Sequence, residues 1–269
     1  MRIPITRNAL AVALALALPF GLVACKQAAT DAPSAGAETA TAATSSDQLS
    51  ETARLNAWFD EQYEEQLQFS PIQLTFLGRK DLYDQIDDVS DAGIRKQAAW
   101  LQASVAEMEA GFDRSKLGLE AQLSWNLWKK QSELAQAGLQ FLGNGYPFNQ
   151  MFGMQSRAPT FIINFHKVDE EKDYVAYVSR LRKFGVAFDQ LLERARASSA
   201  NGIRPPKFAY EGVIEQSRKV IGGAPFDDGA DSALWADAQA KADALAKDGK
   251  ISDERAAELK DEARKALLE

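Results

Sequence analysis

The only histidine in the 269 residues, His166, stands in `FIINFHKVDEEKDY`, with Asp169, Glu170 and Glu171 close behind it. An imidazole beside carboxylates is the material of a general base or a metal ligand. A metal site, however, needs at least three ligands in fixed geometry, and no second histidine exists to build a His-Glu-x-x-His pair. Consecutive acids at a helix start also have a simpler role, as the cap and first turn facing the positive end of the helix dipole. A Ser-His-Asp arrangement is formally available, but no Gly-x-Ser-x-Gly elbow accompanies it. Gly143, Gly145 and Gly153 are not followed by the Gly-Lys-Ser or Gly-Lys-Thr of a phosphate loop. His166 is therefore expected to contact a ligand at most, with no catalytic residue, metal or cofactor assigned. Paired carboxylates stay open, because an acidic helical chain offers many such pairs.

Two arginines and two tyrosines join His166 as candidate ligand contacts. Arg180 follows the face carrying Tyr174 and Tyr177, and Arg204 stands beside the rigid Pro205-Pro206. Either guanidinium can grip a carboxylate bidentately, although pairing with a neighbouring acid is the commoner fate. Between Gly143 and Lys167, `GNGYPFNQMFGMQSRAPTFIINFHK` loses helical period and carries five aromatics. Long non-periodic stretches inside a domain are often functional. These aromatics either cover helix ends or line a groove, and `TFIINF` reads as an extended segment with no second strand to pair with.

The elements that must position these residues follow a clear order. Residues 1–24 have the layout of a secretory signal peptide, with Arg2 and Arg7 before an apolar run from Ala9 to Phe20 that is too short and broken for a permanent span. Leu22-Val23-Ala24-Cys25 resembles the lipobox of bacterial lipoproteins, which makes Cys25, the sole cysteine, the expected lipid attachment point, and Lys26 points to the outer membrane. Residues 25–47 are rich in Ala, Thr and Ser and read as a flexible tether. About 220 residues remain to fold, enough for one sizeable core. The net charge of −7 repels phosphate backbones, so nucleic acid is excluded as a partner. The expected partners are a lipid anchor and a peptide ligand; no oligomeric state is legible.

Helical periodicity runs almost throughout, predicting an all-α, antiparallel bundle-like domain with one long irregular segment. A first helix is expected from Asp47 to Phe69, with Leu49, Ala53, Trp58, Tyr63 and Leu67 inward, and a short one from Pro71 to Gly78. Ser90 caps a helix whose Ile94, Ala98, Leu101, Val105 and Met108 form one stripe. It pairs across `EAGFDRSK` with a helix from Leu119 to Leu142 that buries Leu123, Leu127, Leu134 and Phe141. Asp169 caps the next helix, which Gly185 divides and Gly202 closes, and Pro205-Pro206 opens another that ends at Gly222-Gly223. Residues 48–222 thus form the main helical domain. Residues 223–269 form a weaker tail, Ser232–Lys247 and Ser252–Leu268, whose alanine faces offer little area to bury and are expected to leave apolar surface uncovered and to fray first.

`LNAWFDEQYEEQLQFSPIQLTFLG`, `YDQIDDVSDAG`, `YVAYVSRL` and `NGIRPPKFAYEGVIEQ`, in that order, resemble the N-terminal half of the bacterial DUF885 family over most of residues 55–217, and more weakly after residue 232. The resemblance implies a mostly helical, envelope-anchored protein related to full members roughly twice this length. Their later half carries a histidine-glutamate motif suggestive of a zinc metallopeptidase; no position here matches it. The expectation is a non-catalytic or truncated family member facing the periplasm, retaining part of a peptide-binding surface. The alternatives are a carboxylate-based hydrolase acting alone and a structural or interaction protein of the envelope.

Overall fold

The computed structural model describes residues 42–269, with side chains from Ser50 onward; Cys25, the signal peptide and most of the tether lie outside the described residues. Among the described residues, nine α-helices follow one another: α1 Ala42–Leu67, α2 Pro71–Phe76, α3 Asp91–Gly111, α4 Leu119–Gly138, α5 Met154–Asn164, α6 Glu171–Ala200, α7 Lys207–Val220, α8 Ala233–Lys247 and α9 Asp253–Leu268. Among the described residues there is no β-strand, only an isolated bridge between Ala224 and Asp231, and no helix is long and apolar enough to cross a membrane. The all-α class read from the sequence holds.

Local chemistry sets most boundaries. The hydroxyls of Ser90, Ser232 and Ser252 accept from Gly93, Trp235 and Arg255 N–H, satisfying orphan donors at three helix starts. Gly202 ends α6 with φ +81°, a conformation glycine adopts without a Cβ penalty. Several expected boundaries move. α1 starts at Ala42, so Asp47 lies inside it, and α4 ends at Gly138, short of Leu142, where a 3-10 turn takes over. Glu170 rather than Asp169 caps α6, in a reciprocal box with Asp173. Gly185 divides nothing: α6 runs unbroken for 30 residues, because Phe184, Ala187 and Leu191 are buried on both sides of that exposed glycine.

Two clusters make the core. The smaller joins Leu55 and Trp58 of α1, Leu101 and Met108 of α3, and Ala121, Trp125 and Trp128 of α4. Trp128 meets Trp58 and Trp100 edge-on at 6.0 and 6.2 Å, the arrangement aromatic quadrupoles favour, and donates its indole N–H to Ser104 Oγ at 3.0 Å. This corrects the inward face of α4. Leu123, Leu127, Leu134 and Phe141 are 53–60 % exposed, and the opposite stripe is the buried one. In α1, likewise, Ala53 and Tyr63 face outward while Leu55, Trp58, Gln62 and Leu67 face in.

The larger cluster joins α5, α6, α8 and α9. Its C-terminal contribution is alanine: Ala238, Ala242 and Ala263 are wholly buried, with Leu245 and Leu259 between them. Small side chains let α9 lie close against both α6 and α8. The thin faces expected of this tail are therefore covered, and Leu268 is the only large apolar side chain in residues 232–269 that is substantially exposed. `TFIINF` is also corrected. It lies in α5, where Gln155, Ala158, Phe161 and Ile162 share the buried face at helical spacing.

Candidate functional site

Four of the expected ligand-contact residues come together inside the larger core, on α6 and the turn before it. Arg180 and Tyr177 are wholly buried, as is Tyr174, and His166 is 1 % exposed. The Arg180 guanidinium donates from Nε to Gln85 O at 2.8 Å, from Nη2 to Pro71 O at 3.2 Å and from Nη1 to His166 Nδ1 at 3.0 Å. His166 Nε2 lies 2.9 Å from Asp173 O. Arginine only donates and a carbonyl only accepts, so Nδ1 must be the bare nitrogen and Nε2 must carry the proton. Burial lowers the His166 pKa to about 4, with Arg180 and Lys241 adding to the effect. Burial also draws Arg180 down to about 10, which leaves it a cation at neutral pH. His166 stacks on Tyr83 at 4.1 Å, and Arg180 lies over the same ring at 4.8 Å.

This cluster is a clasp. It fastens residues 79–90, which have no helix of their own, to α6 and to the start of α2. Tyr83 Oη bonds Lys167 on both its N–H and its carbonyl side, and Lys80 bridges Asp169 and Asp173 at 2.7 and 2.6 Å. The acids after His166 are thereby spent: Asp173 Oδ2 also accepts from Asp169 and Glu170 N–H, and Glu171 pairs with Arg255 at 2.7 Å. Tyr174 donates to Ala238 O and Tyr177 to Asp237, tying α6 to α8; burial raises both phenols far out of reach of ionisation. These four side chains are buried, and every polar group named has a protein partner. Neither arginine takes a carboxylate as its hydrogen-bond partner: Arg204 is exposed, far from the clasp in sequence, and donates to Ser199 O at 3.3 and 3.2 Å. The metal site that the family resemblance implies in longer members does not fit these residues. Among the described residues, no three His, Cys, Asp or Glu side chains are grouped to hold an ion.

Open space lies elsewhere. A cavity of about 690 Å³ sits between residues 145–148, the second half of α6, Ile203 and Pro205, and α7. A second, of about 320 Å³, continues between α5, α6, α7 and the end of α9 and shares Gln155, Phe188 and Ser217 with the first. The gap exists because its wall is built from small side chains, Ala195, Ser198, Ser199, Ala209 and Ser217. Moreover, α7 buries only Ala209 fully, while Phe208, Tyr210 and Ile214 stay about half exposed. Phe148 stacks flat on Phe188 across the floor, 6.2 Å apart. The irregular aromatic segment, now confined to residues 145–153 between a 3-10 turn and α5, therefore does line a groove. Gln155 forms part of the wall: its Nε2 donates to Asn149 O at 2.7 Å and Gln216 Oε1 at 2.8 Å, and its own Oε1 has no donor.

A third feature escaped the sequence. Asp87 and Asp88 line a more polar cavity of about 390 Å³ with Arg157 and Arg194. Burial raises the Asp87 pKa although its Oδ1 accepts from Ile72 N–H at 3.0 Å, whereas bonds from Ser90 lower that of Asp88. Neighbouring carboxyls pushed apart in this way were indistinguishable from the other acids of `YDQIDDVSD` until burial separated them.

These features define a class: an all-α bundle whose ionisable interior is a structural clasp and whose accessible concavity is an apolar groove. The chain belongs to a family described as bacterial protein of unknown function (DUF885), whose model matches residues 71–269. That match takes in α8 and α9, where the residue-level resemblance is weakest. A solved structure, "the putative lipoprotein from Colwellia psychrerythraea", is similar in fold, with a TM-score of 0.50 and 14 % identity over 84 % of this chain. The chain spans 37 % of that structure's length. Comparison with curated proteins gave no match.

Proposed function

We propose that this chain is a cell-envelope member of DUF885, held to lipid through Cys25, that binds an extended apolar peptide in its groove and has no catalytic centre of its own. We further infer that it corresponds to the N-terminal part of longer relatives. The observation that carries the binding reading is the groove itself. Two adjoining cavities share a wall, are lined mainly by apolar and aromatic side chains, and have polar groups set singly among them, the composition of ligand sites in general. The single histidine, locked in the clasp, supports the non-catalytic part. Isothermal titration of apolar peptides against the full chain carrying Cys25→Ala tests binding; heat signals no larger than those of a polar peptide would end this reading. Fatty-acid labelling that persists in Cys25→Ala would end the anchor.

Asp87 and Asp88 favour a second reading, a carboxylate hydrolase using the raised Asp87 as acid and Asp88 as base. Peptide or ester hydrolysis by the purified chain, lost in Asp87→Asn with the fold intact, would select it over the first.

A further inference from the structure

We propose that the larger cavity receives the free C-terminal end of its peptide and that Arg196 holds the terminal carboxylate. This rests on the peptide-binding reading above. Arg196 is the only charged residue among the side chains lining that cavity, and no acid lines it. Arg196 is exposed and has no ion-pair or hydrogen-bond partner among the described residues; Arg95, Arg157, Arg218 and Arg264 share that lack, but none of them lines this cavity. The smaller cavity has the opposite character. Its one charged lining residue, Glu269, is already paired with Arg182 at 3.1 Å. An apolar chamber with one unpaired guanidinium on its wall selects an apolar body ending in an anion, and the planar fork of arginine suits a carboxylate, which it can meet with two parallel bonds.

The polar groups argue for a peptide over a fatty acid. Ser198, 3 % exposed, and Ser199 stand within one turn of Arg196 on α6, while Tyr146, Gln155 and Ser217 are spread along the other walls. A fatty acid has one polar end and would leave most of these against methylenes. A peptide places an amide every 3.3–3.6 Å or so of extended chain and so offers a partner to polar groups spread along the walls.

The test is calorimetric, on the full chain carrying Cys25→Ala, with three probes: acetyl-Leu-Phe-Phe with a free carboxyl, the same peptide as its C-terminal amide, and dodecanoate. The free acid is expected to bind about tenfold more tightly than the amide, the worth of one charge-assisted bond. Arg196→Gln should erase that preference and leave affinity for the amide unchanged. Equal binding of acid and amide, or a preference that survives Arg196→Gln, overturns this inference while leaving the peptide groove standing. Dodecanoate binding more tightly than the peptide acid, with the same dependence on Arg196, overturns the choice of peptide. If neither peptide binds, the peptide-binding reading and this inference fall together.

Discussion

His166→Gln should remove a pH dependence of stability that the clasp builds into the fold. In the folded chain the imidazole is neutral with its pKa lowered from 6.5 to about 4. Once unfolded it titrates near 6.5, so between those values the unfolded chain binds the extra proton and stability falls as pH falls. The loss starts below pH 6.5, is complete below about pH 4, and reaches about 2.5 kcal/mol at pH 4.5 from the size of the shift. Little solvent screening reduces this, since the ring is 1 % exposed and its bare nitrogen faces the Arg180 cation. Glutamine can donate to Asp173 O and accept from Arg180 without titrating. Urea unfolding at pH 7.5 and 4.5 gives the assay, and the difference between parent and variant removes the carboxylates common to both. The parent should lose about 2.5 kcal/mol more than His166→Gln across that interval. Equal losses, to within about 0.5 kcal/mol, would refute a neutral buried imidazole bonded on both nitrogens.

Arg180→Lys should destabilise the chain by about 2–4 kcal/mol, because one ammonium cannot replace three bonds aimed at Pro71, Gln85 and His166; limited proteolysis should then cut within residues 79–90 first. Leu127→Lys and Leu134→Lys should each change stability by no more than about 0.5 kcal/mol, whereas Trp128→Ala should cost about 3–5 kcal/mol, measured by urea unfolding. Hydrogen exchange should show α8 and α9 as strongly protected as α3, since Ala238, Ala242 and Ala263 are wholly buried at their contact; early exchange after Ser232 would show that close packing of small side chains does not hold the tail.

Signals confined to a few neighbouring residues were legible in the sequence. Ser90, Ser232 and Ser252 declare helix starts because a hydroxyl there finds an orphan N–H within three residues, and Gly202 marks an end because the backbone turns left-handed. The face of α4 was not legible. Leu123-Leu127-Leu134 and Ala121-Trp125-Trp128 both have helical spacing, and which stripe faces inward depends on Trp58 and Leu101 arriving from other helices. `TFIINF` misled for a related reason: its branched and aromatic residues favour a strand, but helical contacts with α6 decide its state.

The site divides in the same way. The aromatic break after Gly143 marked one wall of the groove, while the other wall, Ala195, Ala209 and Ser217, carries no local signal because its contribution is absent bulk. His166 and Arg180 drew attention through rarity and charge, yet their role rests on Pro71, Gln85 and Asp173, whose carbonyls no side-chain pattern reveals.

The claim that the groove binds peptide is tested most directly by filling it. Ala195→Phe places a ring in the larger cavity from the last turns of α6, and circular dichroism can verify that helix content is unchanged. Calorimetric titration with an apolar peptide should then give saturable heat for the parent chain and none for Ala195→Phe. Equal affinity in the two chains would contradict the account.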